Sequence, residues 1–186
     1  MEQPLPANPD LNRRRFLRWG IAAAAVALPV PAWATSLGTA KRRLSFVNLH
    51  TDETLTALYW ANGSYQPSAV QEINYLLRDF RTGDVHPIDL RLLDLLYTLQ
   101  HKMRSQSPFQ VISGYRSPTT NAKLAALSDG VARRSYHVKG MAVDIALADR
   151  ALPALHQAAL SLRVGGVGFY PKPGFVHVDV GPVRTW

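Results

Sequence analysis

Hydrophobic positions recur in two rhythms along this chain. Between Arg43 and Trp60 they alternate in places: Leu44 and Phe46, then Leu55, Ala57 and Tyr59. A period of two puts successive side chains on opposite faces of a strand. Thr51 to Glu53 supplies a turn, so the stretch predicts a β-hairpin, ended by Asn62-Gly63-Ser64. Pro67 and Ser68 then open a helix. Val70, Ile73, Leu76, Leu77 and Phe80 keep helical spacing, and Gly83 stops it. Residues 87–103 predict a second helix. Leu90, Leu93, Leu96, Tyr97 and Gln100 trace its inner face, with Arg91 and Asp94 outside. His101 sits near its C-terminal end, where a cation suits the helix dipole.

The second half is shorter-stepped. Phe109 to Ser113 reads as an apolar strand entering a loop with Gly114, Tyr115 and Arg116. A short helix follows over 119–127, then a basic loop over 128–135. Met141, Val143, Ile145 and Leu147 share one strand face; Ala142, Asp144 and Ala146 share the other. Asp149 is placed to cap a helix over about 150–163, ended by Gly165-Gly166. One or two strands close the chain. Strands and helices mix without a regular βαβ alternation. The expected class is therefore α+β, with helices packed on a small antiparallel sheet.

The first 34 residues do not read as fold. Arg13, Arg14 and Arg15 precede Phe16-Leu17 and an Ala-rich apolar run, and Ala32-Trp33-Ala34 has the small-x-small form of a cleavage site. Pro29 and Pro31 interrupt the run, which is short for a membrane span. The consecutive arginines point to a twin-arginine signal over 1–34; an ordinary Sec signal and an uncleaved anchor are the competing readings. A basic leader (35–43) and one domain (44–186) follow. The expected location is the periplasm, reached through the twin-arginine export machinery.

The chain has 186 residues and a formal charge of +8. Losing residues 1–34 removes Arg13, Arg14, Arg15, Arg18, Glu2 and Asp10, and the remainder stays basic. The cations are scattered, which speaks against nucleic acid and for an anionic wall polymer or lipid surface. The expected state is a monomer. Cysteine is absent, so disulfides, thiolate metal sites and Cys nucleophiles are excluded. A transition metal here needs His and carboxylate ligands.

One constellation meets that need. In the stretch Phe175 to Gly181, Phe175, His177 and Asp179 share a face opposite Val176, Val178 and Val180. Asp144 stands on its own strand between two alanines. Pairing of these strands brings Asp144, His177 and Asp179 to one surface, and His137, in the loop before Asp144, reaches the same point. Two imidazoles and one carboxylate suit a catalytic Zn²⁺ with its fourth position open to water, whose pKa it lowers to about 7. The plainer reading is a buried strand histidine and an aspartate that ends a strand.

The stretches Ser135–Ile145, Ile112–Ser117 and Gly174–Trp186 resemble the zinc peptidases of the lysostaphin, D-Ala-D-Ala metallopeptidase and hedgehog group. The nearest likeness is to its periplasmic murein endopeptidases, over nearly the whole chain. The resemblance implies a hedgehog-like peptidase fold, Zn²⁺ on His137, Asp144 and His177, and peptidoglycan as substrate. It places Arg116 at the arginine that polarises the scissile carbonyl, a role a fixed cation beside a metal can fill. It places Ser135 at a substrate-binding serine; a loop serine also caps turns. One position departs. The dipeptidase branch has a catalytic Glu three residues before the last ligand, and here Gly174 stands there. Asp179 is then the candidate base, or else it orients an imidazole. His50 has no assigned place in the site. Tyr115, Tyr136, Phe169 and Tyr170 suit a peptide groove or a core equally. The implied reaction is hydrolysis of a cross-link amide, D-Ala–diaminopimelate or diaminopimelate–diaminopimelate. A D,D-carboxypeptidase or dipeptidase, and a non-catalytic wall-binding module, are the alternatives.

Overall fold

The computed structural model describes residues 40–127, 132 and 134–186. The expected signal, most of the leader and most of the basic loop lie outside them. Strands β1 (Arg42–Asn48) and β2 (Thr54–Ala61) form the expected hairpin, with Leu44 opposite Ala57. Arg42 and Arg43, assigned to the leader, are already paired in β1. Asn62-Gly63 does not end the sheet. Both residues have positive φ (53° and 76°), as a two-residue type I′ turn requires, and Ala61 pairs with Ser64 of β3 (Ser64–Tyr65).

Helix α1 (Pro67–Leu76) stops seven residues before Gly83. The cause is Asp79, which is only 1% exposed. Its carboxylate accepts the amides of Arg81 and Ser117, at 3.0 and 2.9 Å, so the chain turns instead of continuing the helix. Gly83, at φ 80°, donates its amide to the Asp79 carbonyl and closes that turn. Leu77, next to the end of α1, accepts the Tyr115 amide. One loop thus ties α1 to the segment that carries Arg116. Burial opposes ionisation of Asp79, but its hydrogen bonds outweigh it and hold the carboxyl below its ordinary range. A depressed carboxyl contributes stability that is present above its unfolded pKa and is lost as pH falls through the folded value. Asp79→Ala leaves buried amides unpaired and is expected to cost about 2–3 kcal/mol near neutral pH. Denaturant unfolding at pH 7 and pH 3 checks this: the gap to wild type narrows in acid.

Helix α2 (Leu90–Met103) starts at Asp89, whose carboxylate accepts the Arg91 amide. Its buried stripe is Leu92, Leu93, Leu95, Leu96 and Leu99, rotated from the expected one. Asp94 is not idle on the outside: it accepts from Tyr59, Tyr65 and Arg42. The two helices form the crossover that lets β4 (Phe109–Ser113) lie parallel to β1. Ser117 caps α3 (Pro118–Leu127) by accepting the Thr120 amide. A 3-10 turn (Tyr136–Lys139) leads to β5 (Ala142–Leu147), then α4 (Leu152–Leu162), β6 (Gly166–Tyr170), β7 (Phe175–Asp179) and β8 (Arg184–Thr185).

Two local expectations fail at α4. Ala151 occupies the cap position, and Asp149 accepts from Ser105 Oγ instead. Arg163, at φ 52°, ends the helix before Gly165-Gly166 is reached. Those glycines serve another purpose. A Cβ on Gly165 would overlap the Asp179 carbonyl, and one on Gly166 would overlap the Asp179 carboxylate and the Arg184 guanidinium.

The fold is α+β, around one eight-stranded sheet ordered β3-β2-β1-β4-β5-β7-β6-β8. The sheet is mixed, not antiparallel as expected, because β1/β4 and β6/β8 are parallel pairs. One face is continuous core: Phe46, Phe109, Val143, Ile145, Val176 and Val178 pack with Ile73 of α1, Leu92 and Leu96 of α2 and Leu155 of α4. The polar groups of β5 and β7 occupy the other face. Among the described residues no helix is long and apolar enough to cross a membrane.

Candidate metal centre

Strand register builds the site. In the β5/β7 pair Asp144 lies opposite His177, and Ala142 lies opposite Asp179. The odd-numbered neighbours Val143 and Ile145 face the core, so Asp144 and His177 must face away from it. The 3-10 turn brings in His137. Ser135 caps the turn by accepting the His137 amide, and Gly140, at φ 65°, ends it where a Cβ would overlap the Pro87 carbonyl. One donor atom from each of His137, Asp144 and His177 meets the other two.

The distances are His137 Nε2 to Asp144 Oδ1 3.2 Å, His137 Nε2 to His177 Nδ1 3.1 Å, and His177 Nδ1 to Asp144 Oδ1 2.8 Å. Bonds of ~2.0 Å at tetrahedral angles need ligand atoms roughly 3.3 Å apart, close to this triangle. The outer ring nitrogens decide the tautomers. His137 Nδ1 lies 2.7 Å from the Gly114 carbonyl, which can only accept, so that nitrogen carries the proton. His177 Nε2 lies 3.1 Å from Asp179 Oδ2 and is protonated for the same reason. Both inward nitrogens then present lone pairs to each other and to a carboxylate oxygen. Three facing lone pairs repel unless a cation sits among them. The donor set, two imidazoles and a carboxylate, fits Zn²⁺.

Electrostatics support this. Burial pushes His137 down and keeps it neutral, against the pull of Asp144. Burial opposes the charge on Asp144 too, yet the two histidines hold its carboxyl well below the ordinary range. At His177 burial favours the neutral ring, but hydrogen bonds to Asp144 and Asp179 outweigh it and raise the imidazole. A metal competes with protons for that nitrogen, so its affinity falls as pH falls.

Around the triangle lies a supporting ring. Asp179 is fully buried. Its carboxylate accepts from the Gly166 amide at 2.9 Å, the Gly181 amide at 2.8 Å and Arg184 Nη2 at 2.6 Å, besides the His177 contact. It meets His177 at the nitrogen remote from the triangle. Arg116 donates through Nη2 to Asp144 Oδ2 at 2.8 Å and through Nε to Ser113 Oγ at 2.9 Å. All six residues singled out in the sequence therefore come together. His50 does not join them; it contacts the Ile112 carbonyl and stacks on Phe80. Gly174 explains the missing glutamate: it takes φ 81° in the β6–β7 turn, a conformation costly for a side chain.

The triangle opens into a cleft of about 240 Å³. Tyr136, Tyr170, Phe175 and Trp186 supply its aromatic walls, and Arg116 and Arg184 its cations. Asp144 is the only carboxylate among the described lining residues. Arg184 and Trp186 were missed in the sequence. Strand β8 is two residues long and has no periodicity, and the pointer to it, Gly165-Gly166, reads equally as a helix stop. Arg184 lies over Tyr136 and Trp186, 4.8 and 5.0 Å from their ring centres.

Fold and site define a class: a three-residue cluster fit to hold a metal ion on the open face of an α+β sheet. The family model described as "Peptidoglycan L,D-endopeptidase MepK" matches residues 36–186. The chain is 44% identical over 178 residues to the Escherichia coli K12 protein of that name, covering 95% of this chain and 98% of that one. It is 39% identical over 179 residues to the "Probable peptidoglycan L,D-endopeptidase MepK" of Haemophilus influenzae, covering 95% and 96%. The chain belongs to this family and is a hydrolytic metallopeptidase.

Proposed function

We propose that this chain is an exported, zinc-dependent murein endopeptidase that hydrolyses an amide in peptidoglycan cross-links. The observation that carries the reading is the inward-facing triangle of His137, Asp144 and His177, held open to the cleft. His137, Asp144 and His177 hold the ion; Zn²⁺ supplies a Lewis acid that activates water and polarises the substrate carbonyl. Arg116, fixed by Asp144 and Ser113, offers its remaining N–H groups to the negative charge that develops on the carbonyl oxygen. Ser135 Oγ accepts the His137 amide and keeps its own proton for a substrate acceptor. Asp179 orients His177 and is not the base: its oxygens are filled by N–H donors and it lies behind the ring. The relatives' name, L,D-endopeptidase, favours a bond between an L-configured acyl residue and a D-configured amine. Action on the wall requires export, for which residues 1–34 carry a twin-arginine pattern; the protein then works in the periplasm, as a monomer.

The test is digestion of purified muropeptide dimers, with and without chelator, alongside His137→Ala. The expected result is conversion of dimers to monomers by untreated wild type alone. Dimers that survive in every condition contradict the reading. Shortened monomer tails beside intact dimers favour a carboxypeptidase.

A further inference from the structure

We propose that Tyr170 is a further substrate-contacting residue, a hydrogen-bond donor to a carbonyl of the bound peptide, and that Trp186 aims it. This rests on the endopeptidase reading above.

The direction of the Tyr170 hydroxyl is decided by its partner. Trp186 Nε1 lies 2.7 Å from Tyr170 Oη. An indole nitrogen only donates, so the tyrosine oxygen accepts and its own proton points elsewhere. Among the described residues no side chain or carbonyl accepts that proton, and Tyr170 lines the cleft. A proton held out in this way suits an acceptor supplied by the substrate.

Topology puts Tyr170 on the bank opposite Arg116. The order β4-β5-β7-β6 sets Asp144 and His177 on the two central strands. Arg116 follows β4 on one side, and Tyr170 ends β6 on the other. Gly168 pairs with His177, and Tyr170 with Phe175, so Tyr170 shares the metal-facing side two residues further along. Trp186 fills the gap between them. Its indole lies where a Gly168 side chain would be, and its ring centre is 5.2 Å from that of His177. Tyr170 also stacks on Phe175 at 4.5 Å, which holds the phenol in place.

The cleft offers that proton little else to bind. Asp144 is its only carboxylate among the described residues and is engaged by Arg116 and both histidines. Tyr136, the other phenol, is packed under the Arg184 guanidinium and against Gly181. An amide substrate that crosses from bank to bank meets Arg116 on one side and Tyr170 on the other.

The test compares Tyr170→Phe, Trp186→Phe and the double variant on cross-linked muropeptide dimers. Tyr170→Phe is expected to lower kcat/KM by roughly tenfold to hundredfold, the loss of one hydrogen bond to the substrate. Trp186→Phe keeps a ring over Gly168 but removes the N–H, and is expected to give a smaller loss. The double variant falls no further than Tyr170→Phe, because the two act as one unit. Zinc content and Tm stay at wild-type values in all three. The proposal is overturned if Tyr170→Phe keeps kcat/KM within twofold, if the two losses multiply, or if Tyr170→Phe loses zinc. Wild type that cleaves no dimer refutes the endopeptidase reading itself, and this inference with it.

Discussion

His177→Ala is expected to release the metal and to lower dimer cleavage by at least ~10³-fold, about 4 kcal/mol of transition-state stabilisation. The reason lies in the geometry. His177 Nδ1 is 2.8 Å from Asp144 Oδ1 and 3.1 Å from His137 Nε2, so removing it takes away one corner of a three-donor site. Two remaining donors do not hold Zn²⁺ in the open tetrahedral arrangement. The same change deprives Asp179 of its imidazole partner. The checks are metal content by mass spectrometry, the rate of dimer cleavage and the far-ultraviolet circular dichroism spectrum. Retention of one equivalent of metal and a rate within tenfold of wild type would sink the assignment.

Asp179 is the second place where a large effect is expected. Asp179→Ala leaves the Gly166 and Gly181 amides without their acceptor and removes the ion-pair partner of the half-exposed Arg184 guanidinium. Each buried amide left without its acceptor costs about 1–3 kcal/mol. Asp179→Asn is the milder and more informative change. A residue that orients a ligating imidazole costs ~10–100-fold in metal affinity when altered. Excess zinc is therefore expected to restore most of the cleavage rate of Asp179→Asn. A rate that stays low at saturating zinc would instead make Asp179 the proton acceptor. Arg184→Ala should follow Asp179→Asn in direction with a smaller loss, measured as the zinc concentration for half-maximal activity.

Much of the centre was legible because β-alternation is a strict rule. Val143 and Ile145 on either side of Asp144, and Val176 and Val178 on either side of His177, leave the polar side chains only one face to occupy. Strand β4 is equally legible, as an apolar run bounded by Pro108 and Gly114. What was not legible depends on contacts distant in sequence. The end of α1 is set by Asp79 reaching Ser117, 38 residues away. The inner face of α2 was misplaced because leucines surround the helix on most sides, and only packing selects among them. Asp94 looked like a solvated charge until Tyr59, Tyr65 and Arg42 converged on it. The parallel β1/β4 and β6/β8 pairs leave no mark on local pattern. Arg184 and Trp186 lie on a strand too short for periodicity, and their importance comes from Asp179, His177 and Tyr170 on other strands.

The most direct test of the central claim is a zinc titration of the metal-stripped protein, followed by muropeptide dimer cleavage. The cluster of His137, Asp144 and His177 predicts no cleavage without metal, a linear rise on adding zinc, and a plateau at one equivalent. It also predicts that the triple alanine variant of these residues stays inactive at any zinc concentration. Full cleavage by metal-free protein, or zinc-dependent cleavage by the triple variant, would contradict it.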